Sequence, residues 1–323
     1  ALIVGVIAAN FADLDIIGMP LFGTDHYLLW HGGITHSILA LIVLPPLLAF
    51  AVNRVTHAPF RPLVALCYIA YASHLVLDVL TSWGTMLLLP FDETRFSLHW
   101  LYTVDLFFWC ILSLPFWLNR LLGEPALIAK SSLFALAIYI LVCGGLHAAA
   151  ITEVKVSASK KGLIAQRVAA YPSPFVPVFW TGVADDGTFL HQGAVQVPVG
   201  FESRLTRQRP KNFAHPAVQA VLKEPLAERF ISWWAHSPIA KVYCLSSGYR
   251  VVLRDVRFES PWLDSSGFRL AWDVEYRAAT EQYAVLSHRW LNQWAADTLS
   301  DGECAFRMEV DMSRSTGTKL PEK

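Results

Sequence analysis

Charge is spread so unevenly along this chain that its two halves cannot share a solvent. Residues 1–150 hold 13 charged side chains (5 Lys/Arg and 8 Asp/Glu), and residues 151–323 hold the other 39 of the 52. An apolar stretch of about 20 residues suffices to cross a bilayer as a helix, and the first half reads as a series of these. The second half has the composition of ordinary globular protein. The predicted fold is therefore an all-α transmembrane helical bundle over 1–150, followed by a soluble α+β domain over 151–323. A formal net charge of zero, with no basic stripe, points away from a nucleic-acid partner.

Five spans are expected: 1–22, 36–52, 62–82, 98–119 and 126–150. The chain starts at Ala1, without Met and inside an apolar run, so part of the first span is expected to lie upstream. Pro45-Pro46 and Pro115 predict kinks, which membrane helices tolerate when neighbours satisfy the freed carbonyls. The 53–61 loop carries Arg54 and Arg61, and the 119–125 loop carries Arg120. The positive-inside rule assigns both to the cytoplasm. Alternation then puts the end of span 1, the 23–35 loop, the end of span 3 and everything after span 5 on the outer side.

The polar residues of the apolar half fall on that same side, in three clusters. Asp13 and Asp15 close span 1; His31-Gly-Gly-Ile-Thr-His36-Ser37 leads into span 2; His74 and Asp78 lie inside span 3. His74 and Asp78 are spaced i, i+4 and so share one helix face. Ionisable groups in so apolar a segment are costly unless they face a polar interior or hold an ion. A buried His–Asp hydrogen bond that tightens helix packing is the competing reading. Imidazole and carboxylate donors without cysteine suit zinc, with manganese or iron as alternatives. Asp13 and Asp15 cannot both point one way on a regular helix, so either one ligates and the other supports it, or the helix ends there and frees both. Thr35 and Ser37 could orient an imidazole or cap the helix. A divalent ion in such a cluster would activate water for hydrolysis, and an uncommitted Asp13 or Asp15 could act as general base.

The second half reads as strands near 163–171, 178–183, 188–197, 240–245, 249–258 and 268–276, with helices over 215–236 (interrupted at Pro225) and 280–298. The basic run Arg204, Arg207, Arg209, Lys211 reads as a solvated loop. Cys244 and Cys304 could pair if this half occupies an oxidising compartment. His99 suits either the ligand side or an aromatic belt beside Trp100 and Tyr102. His26 and His147 read as surface or interface residues, and His236 shows no spacing that argues for a second metal site.

Ala12-Asp13-Leu-Asp15, His31-Gly-Gly-Ile-Thr-His36-Ser37 and His74-Leu-Val-Leu-Asp78 resemble the membrane-bound metal-dependent hydrolase family, the YdjM-like group of LexA-binding inner-membrane proteins. Thr81-Ser-Trp-Gly84-Thr, Pro90-Phe91 and Val104-Asp105 continue the likeness. That family is distantly similar to zinc-dependent phospholipase C, where a helical bundle holds metals through His and Asp. The resemblance implies a hydrolase of the bacterial inner membrane acting on a phosphoester or lipid-linked substrate. It implies a metal shell drawn from Asp13, Asp15, His31, His36, His74 and Asp78, with Asp105 as ligand or supporting group. The chain departs from the family pattern at Ala12, where Pro is usual, and at Gly32, where Arg is frequent and could bind phosphate. Two other classes compete: a transporter using the cluster as an ion path, and a non-catalytic membrane anchor with a structural metal. The oligomeric state is not legible.

Overall fold

The computed structural model describes residues 1–18, 31–198, 204–245, 248–260, 269–277, 280 and 282–291. His26, Cys304 and the 292–298 part of the predicted last helix lie outside them.

Helix α1 (Leu2–Asn10) gives way to a 3-10 turn over Ala12–Gly18 that carries Asp13 and Asp15. Helix α2 (Ile38–Thr56) starts on Ser37, whose hydroxyl accepts from Ala40 N, and runs through Pro45 and Pro46. Helix α3 (Phe60–Leu80) returns beside it after a short turn that His57 enters at φ 57°. Ala8, Ala49, Leu63 and Cys67 interlock α1, α2 and α3, the small side chains allowing close helix approach. Helices α4 (Leu106–Leu122) and α5 (Pro125–Lys160) form the second part of the apolar half.

Three helices, α2, α3 and α5, are long and apolar enough to cross a membrane, and α4 contributes a shorter apolar stretch over Leu106–Asn119. The described residues therefore support three spans and not the expected five. Asn10 and the two aspartates end the first helical segment after 9 residues. The fourth segment begins at Leu106 rather than 98, because Asp105 caps it by accepting from Phe108 N. The preceding 94–104 stretch is apolar but not helical: Phe96 pairs with Thr85, and Leu98, Trp100 and Leu101 donate to carbonyls of Val79 and Leu80.

Helix α5 crosses the division expected at residue 150. Its 36 residues extend about 54 Å, against a hydrocarbon core of about 30 Å, so its last turns project beyond it. There Ala150, Val154 and Ala158 pack on the first of two four-stranded antiparallel sheets. That sheet is the meander β1 (Arg167–Pro172), β2 (Phe179–Asp185), β3 (Phe189–Gln196) and β4 (Arg204–Pro210). Gly182 lets α5 approach: a Cβ there would stand 2.7 Å from both Val154 and Val195. The second meander is β5 (Pro238–Leu245), β6 (Gly248–Asp255), β7 (Arg269–Arg277) and β8 (Gln282–Leu291). Tyr171, Val183 and Leu190 of the first sheet pack with Ile239 and Val256 between the two. The far face of the second is covered by α6 (Pro216–Val221), α7 (Pro225–Arg229) and a π turn over Phe230–Trp234.

Two segments of this domain differ from expectation. The basic run is edge strand β4, with Arg209 paired to Glu259 and Lys211 to Asp185. The segment expected as helix 280–298 is strand β8 over Gln282–Leu291, because β7 offers it a ladder from Arg277↔Gln282 to Arg269↔Leu291. Cys244 is disulfide-bonded.

Candidate metal centre

Three pieces of backbone deliver the polar groups to one place. The 3-10 turn after α1 brings Asp13 and Asp15, the turn before α2 brings His36, and the last two turns of α3 bring His74 and Asp78. Because α2 leads away from this end and α3 returns to it, residues far apart in sequence meet at a single end of the helices.

Nε2 of His36 and Nε2 of His74 stand side by side, each flanked by Oδ1 of Asp13 and Oδ2 of Asp78. His36 lies 3.4 Å from Asp13 and 3.2 Å from Asp78; His74 lies 3.4 Å and 3.3 Å from the same two oxygens. The two imidazole nitrogens are 3.3 Å apart. A tetrahedron whose vertices stand about 2.0–2.1 Å from its centre, as zinc's nitrogen and oxygen ligands do, has edges of about 3.3–3.4 Å. His36, His74 and Asp13 hold that spacing among themselves, Asp78 holds it to both imidazoles, and the donor chemistry fits a cation.

Asp15 lies on the other side of the His36 ring, against Nδ1. It accepts from Gly32 N and Thr35 Oγ1, both at 3.2 Å, and pairs with His31 Nδ1 at 3.0 Å. Thr35 Oγ1 also lies 3.1 Å from His36 Nδ1, so the hydroxyl and Asp15 together fix the ring whose Nε2 faces the cage. Of the two hydroxyl residues flanking His36, Thr35 orients and Ser37 caps. Tyr71, one turn before His74, donates to the Thr35 carbonyl. His31 is a neighbour of the four-atom cage; with Asp13 and Asp15 it forms a second group whose donor atoms lie within 4.8 Å of one another.

The electrostatics bind the imidazoles and carboxylates to one another. Burial alone would strip the proton from His36, but hydrogen bonds to Asp13, Asp15 and Asp78 override it and raise the imidazole to about 11. Burial likewise opposes charge on Asp13 and Asp15, and the surrounding imidazoles outweigh it, holding both well below the usual carboxylate range. His36 is fully buried, whereas the Asp13 and Asp78 side chains are 33% and 32% exposed, so the cage opens on its carboxylate side.

Asp105 is not brought to this cluster. One of its oxygens caps α4, the other accepts from Tyr139 OH at 2.6 Å, and its backbone bridges to Phe175. Its family-like position reflects a junction between helices and the following domain. His99 joins neither the cage nor an aromatic belt. It is half-buried, with Nδ1 near Ser82 and Ser97 and Nε2 3.2 Å from His236 Nδ1.

Arg95 has no signal in the sequence as a site residue. Its guanidinium donates to the His31 and Gly84 carbonyls at 2.6 and 3.0 Å. Gly32 beside it takes φ +73°, and a Cβ there would lie 3.1 Å from Gly84 O and 3.4 Å from Arg95 Nη1. Where the family pattern often places an arginine, this chain thus has a glycine with a guanidinium from elsewhere against it.

Residues 1–150 match the family model of the YdjM inner membrane protein. This part of the chain is YdjM-like, and with its long apolar helices the protein is one of the membrane. No curated protein and no solved structure matches the chain.

Proposed function

We propose that this protein is an integral inner-membrane hydrolase that uses a divalent cation, zinc by donor set, against a phosphoester or lipid-linked substrate. The observation that carries the reading is the convergence of Asp13, His36 and His74 within ligand spacing of one another, with Asp78 3.2 and 3.3 Å from the two imidazoles. A divalent ion held there supplies a nucleophilic water at neutral pH and offsets charge developing on a phosphoryl or carbonyl oxygen.

The chain's own residues divide the remaining work. His36 and His74 present neutral nitrogens once their protons leave, and Asp13 and Asp78 contribute the charge. Asp15 and Thr35 hold the His36 ring in place. Asp13 and Asp78, on the open side, are the carboxylates that face an approaching substrate. A substrate approaches over the exposed carboxylate side and not through the helices, since His36 is sealed beneath.

We place the cage at the extracytoplasmic end of a multi-pass bundle. Arg54 and Arg61 mark the opposite end of α2 and α3, as cytoplasmic loops do. The disulfide at Cys244 suits an oxidising compartment for the following domain. An ion-path role would distribute such groups along the membrane depth; their gathering at one end favours hydrolysis. Elemental analysis of the purified protein, followed by phosphodiester and phospholipid turnover, tests the reading. His36→Ala is expected to lose both metal and turnover while remaining in the membrane. Absence of stoichiometric zinc, manganese or iron in the wild type would refute it.

A further inference from the structure

The domain of residues 151–323 has so far been only a neighbour of the cage. Its contacts with the 83–97 loop give it a larger part. Trp83 packs into the domain's main apolar core, edge-on to Trp234 at 5.6 Å and tilted against Phe258 at 5.9 Å. The same indole stands 5.8 Å from the His31 ring. Trp233 donates to the Glu93 carbonyl at 2.8 Å, and Arg229 pairs with the Glu93 carboxylate at 2.8 Å. Both Arg95 and Arg229 stack on the Trp233 ring, at 4.7 and 4.4 Å. Arg95 in turn holds the His31 carbonyl.

Two routes therefore run from the π turn of the domain to one residue of the metal centre. Trp234 reaches the His31 ring through Trp83, and Trp233 reaches the His31 backbone through Arg95. An indole face over a guanidinium is worth about 0.5–2 kcal/mol, and here it bears on an arginine whose two terminal nitrogens hold the His31 and Gly84 carbonyls. His31 fixes Asp15, and Asp15 with Thr35 fixes His36.

We propose that the C-terminal domain is a built-in part of the metal centre, with Trp233 and Arg95 as positioning residues that clamp His31 and through it the cation cage. The inference rests on the metal reading above for its affinity arm only. Supporting groups of this kind typically change metal affinity 10–100-fold when removed.

The test uses the full chain in lipid nanodiscs, with two readouts. One is zinc affinity by competition with a chromophoric chelator; the other is the rate at which diethyl pyrocarbonate modifies His31, followed by mass spectrometry. Trp233→Ala is expected to weaken zinc binding at least about 10-fold and to speed His31 modification several-fold. Trp233→Phe, which keeps a ring for Arg95, is expected to stay near wild type in both. Val252→Ala, in a separate apolar cluster of the second sheet, is expected to lower the Tm while leaving both readouts unchanged. Wild-type behaviour of Trp233→Ala would overturn the proposal, and so would equal effects from Val252→Ala. Should Trp233→Ala fail to fold, Arg95→Lys, which cannot hold two carbonyls with one rigid fork, decides the matter by the same two readouts. If the wild type binds no zinc, the hydrolase reading falls, and the His31 modification rates alone settle this one.

Discussion

Replacing Asp78 by Asn keeps the shape of the side chain and removes its charge, so it isolates the ligand role from packing. The Asp78 oxygen stands 3.2 and 3.3 Å from the two imidazole nitrogens, the separation expected between two ligands of one zinc ion at about 2.0–2.1 Å each. Removing groups that merely support a ligand costs about 10–100-fold in metal affinity. A direct ligand with a full charge must therefore cost more than about 100-fold, or roughly 2.8 kcal/mol at 1.4 kcal/mol per tenfold. Thr35→Ala should fall in the lower range, because the hydroxyl only steadies Asp15 and the His36 ring. Asp105→Asn should leave affinity unchanged, since its oxygens serve Phe108 N–H and Tyr139 OH. Zinc titration against a chelator, with all three variants reconstituted alike, gives the ranking. An Asp78→Asn protein that binds zinc as tightly as wild type, or an Asp105→Asn protein as weak as Asp78→Asn, would refute the assignment.

Two further predictions concern the fold. Gly182→Ala forces a methyl to within 2.7 Å of Val154 on α5 and Val195 on β3, and overpacking of this kind costs about 1–3 kcal/mol; thermal unfolding should show it, and an unchanged Tm would mean the helix does not lie on that sheet. The His99–His236 contact predicts acid sensitivity: burial, with nearby cationic groups, pushes His99 down to about 2 and His236 to about 3. Depressed imidazoles are neutral when folded, so the unfolded form takes up more protons below about pH 6.5, and stability falls as the pH drops from there towards 3. At pH 5 the loss reaches up to about 2 kcal/mol for each imidazole, and a His236→Asn protein should show a flatter profile by differential scanning fluorimetry.

The polar cluster was legible because it stands out against its surroundings. Ionisable groups in an apolar half have few structural uses, and the i, i+4 spacing of His74 and Asp78 fixes one face of one helix. Asp13 and Asp15 left two possibilities in the sequence; the helix ends at Asn10 and a 3-10 turn carries both, so that Asp13 groups with His36 and His74 and both carboxylates group with His31. The seam with the C-terminal domain was not legible. His99 and His236 are 137 residues apart, and Trp233 and Glu93 are 140 apart, with no local pattern joining either pair. The 98–105 stretch misled because aromatic and apolar residues read as a span, whereas its backbone donors are taken by the end of α3. Strand β8 misled because its conformation comes from the neighbouring β7 ladder rather than from its own alternation.

X-ray absorption at the zinc edge of the purified, reconstituted protein tests the central claim most directly. The account predicts a four-coordinate ion with nitrogen and oxygen neighbours at about 2.0–2.1 Å, the outer-shell scattering of two imidazoles, and loss of half that imidazole signal in His74→Ala. A protein that retains no divalent ion after purification in its presence, or an ion whose shell contains no imidazole, would contradict it.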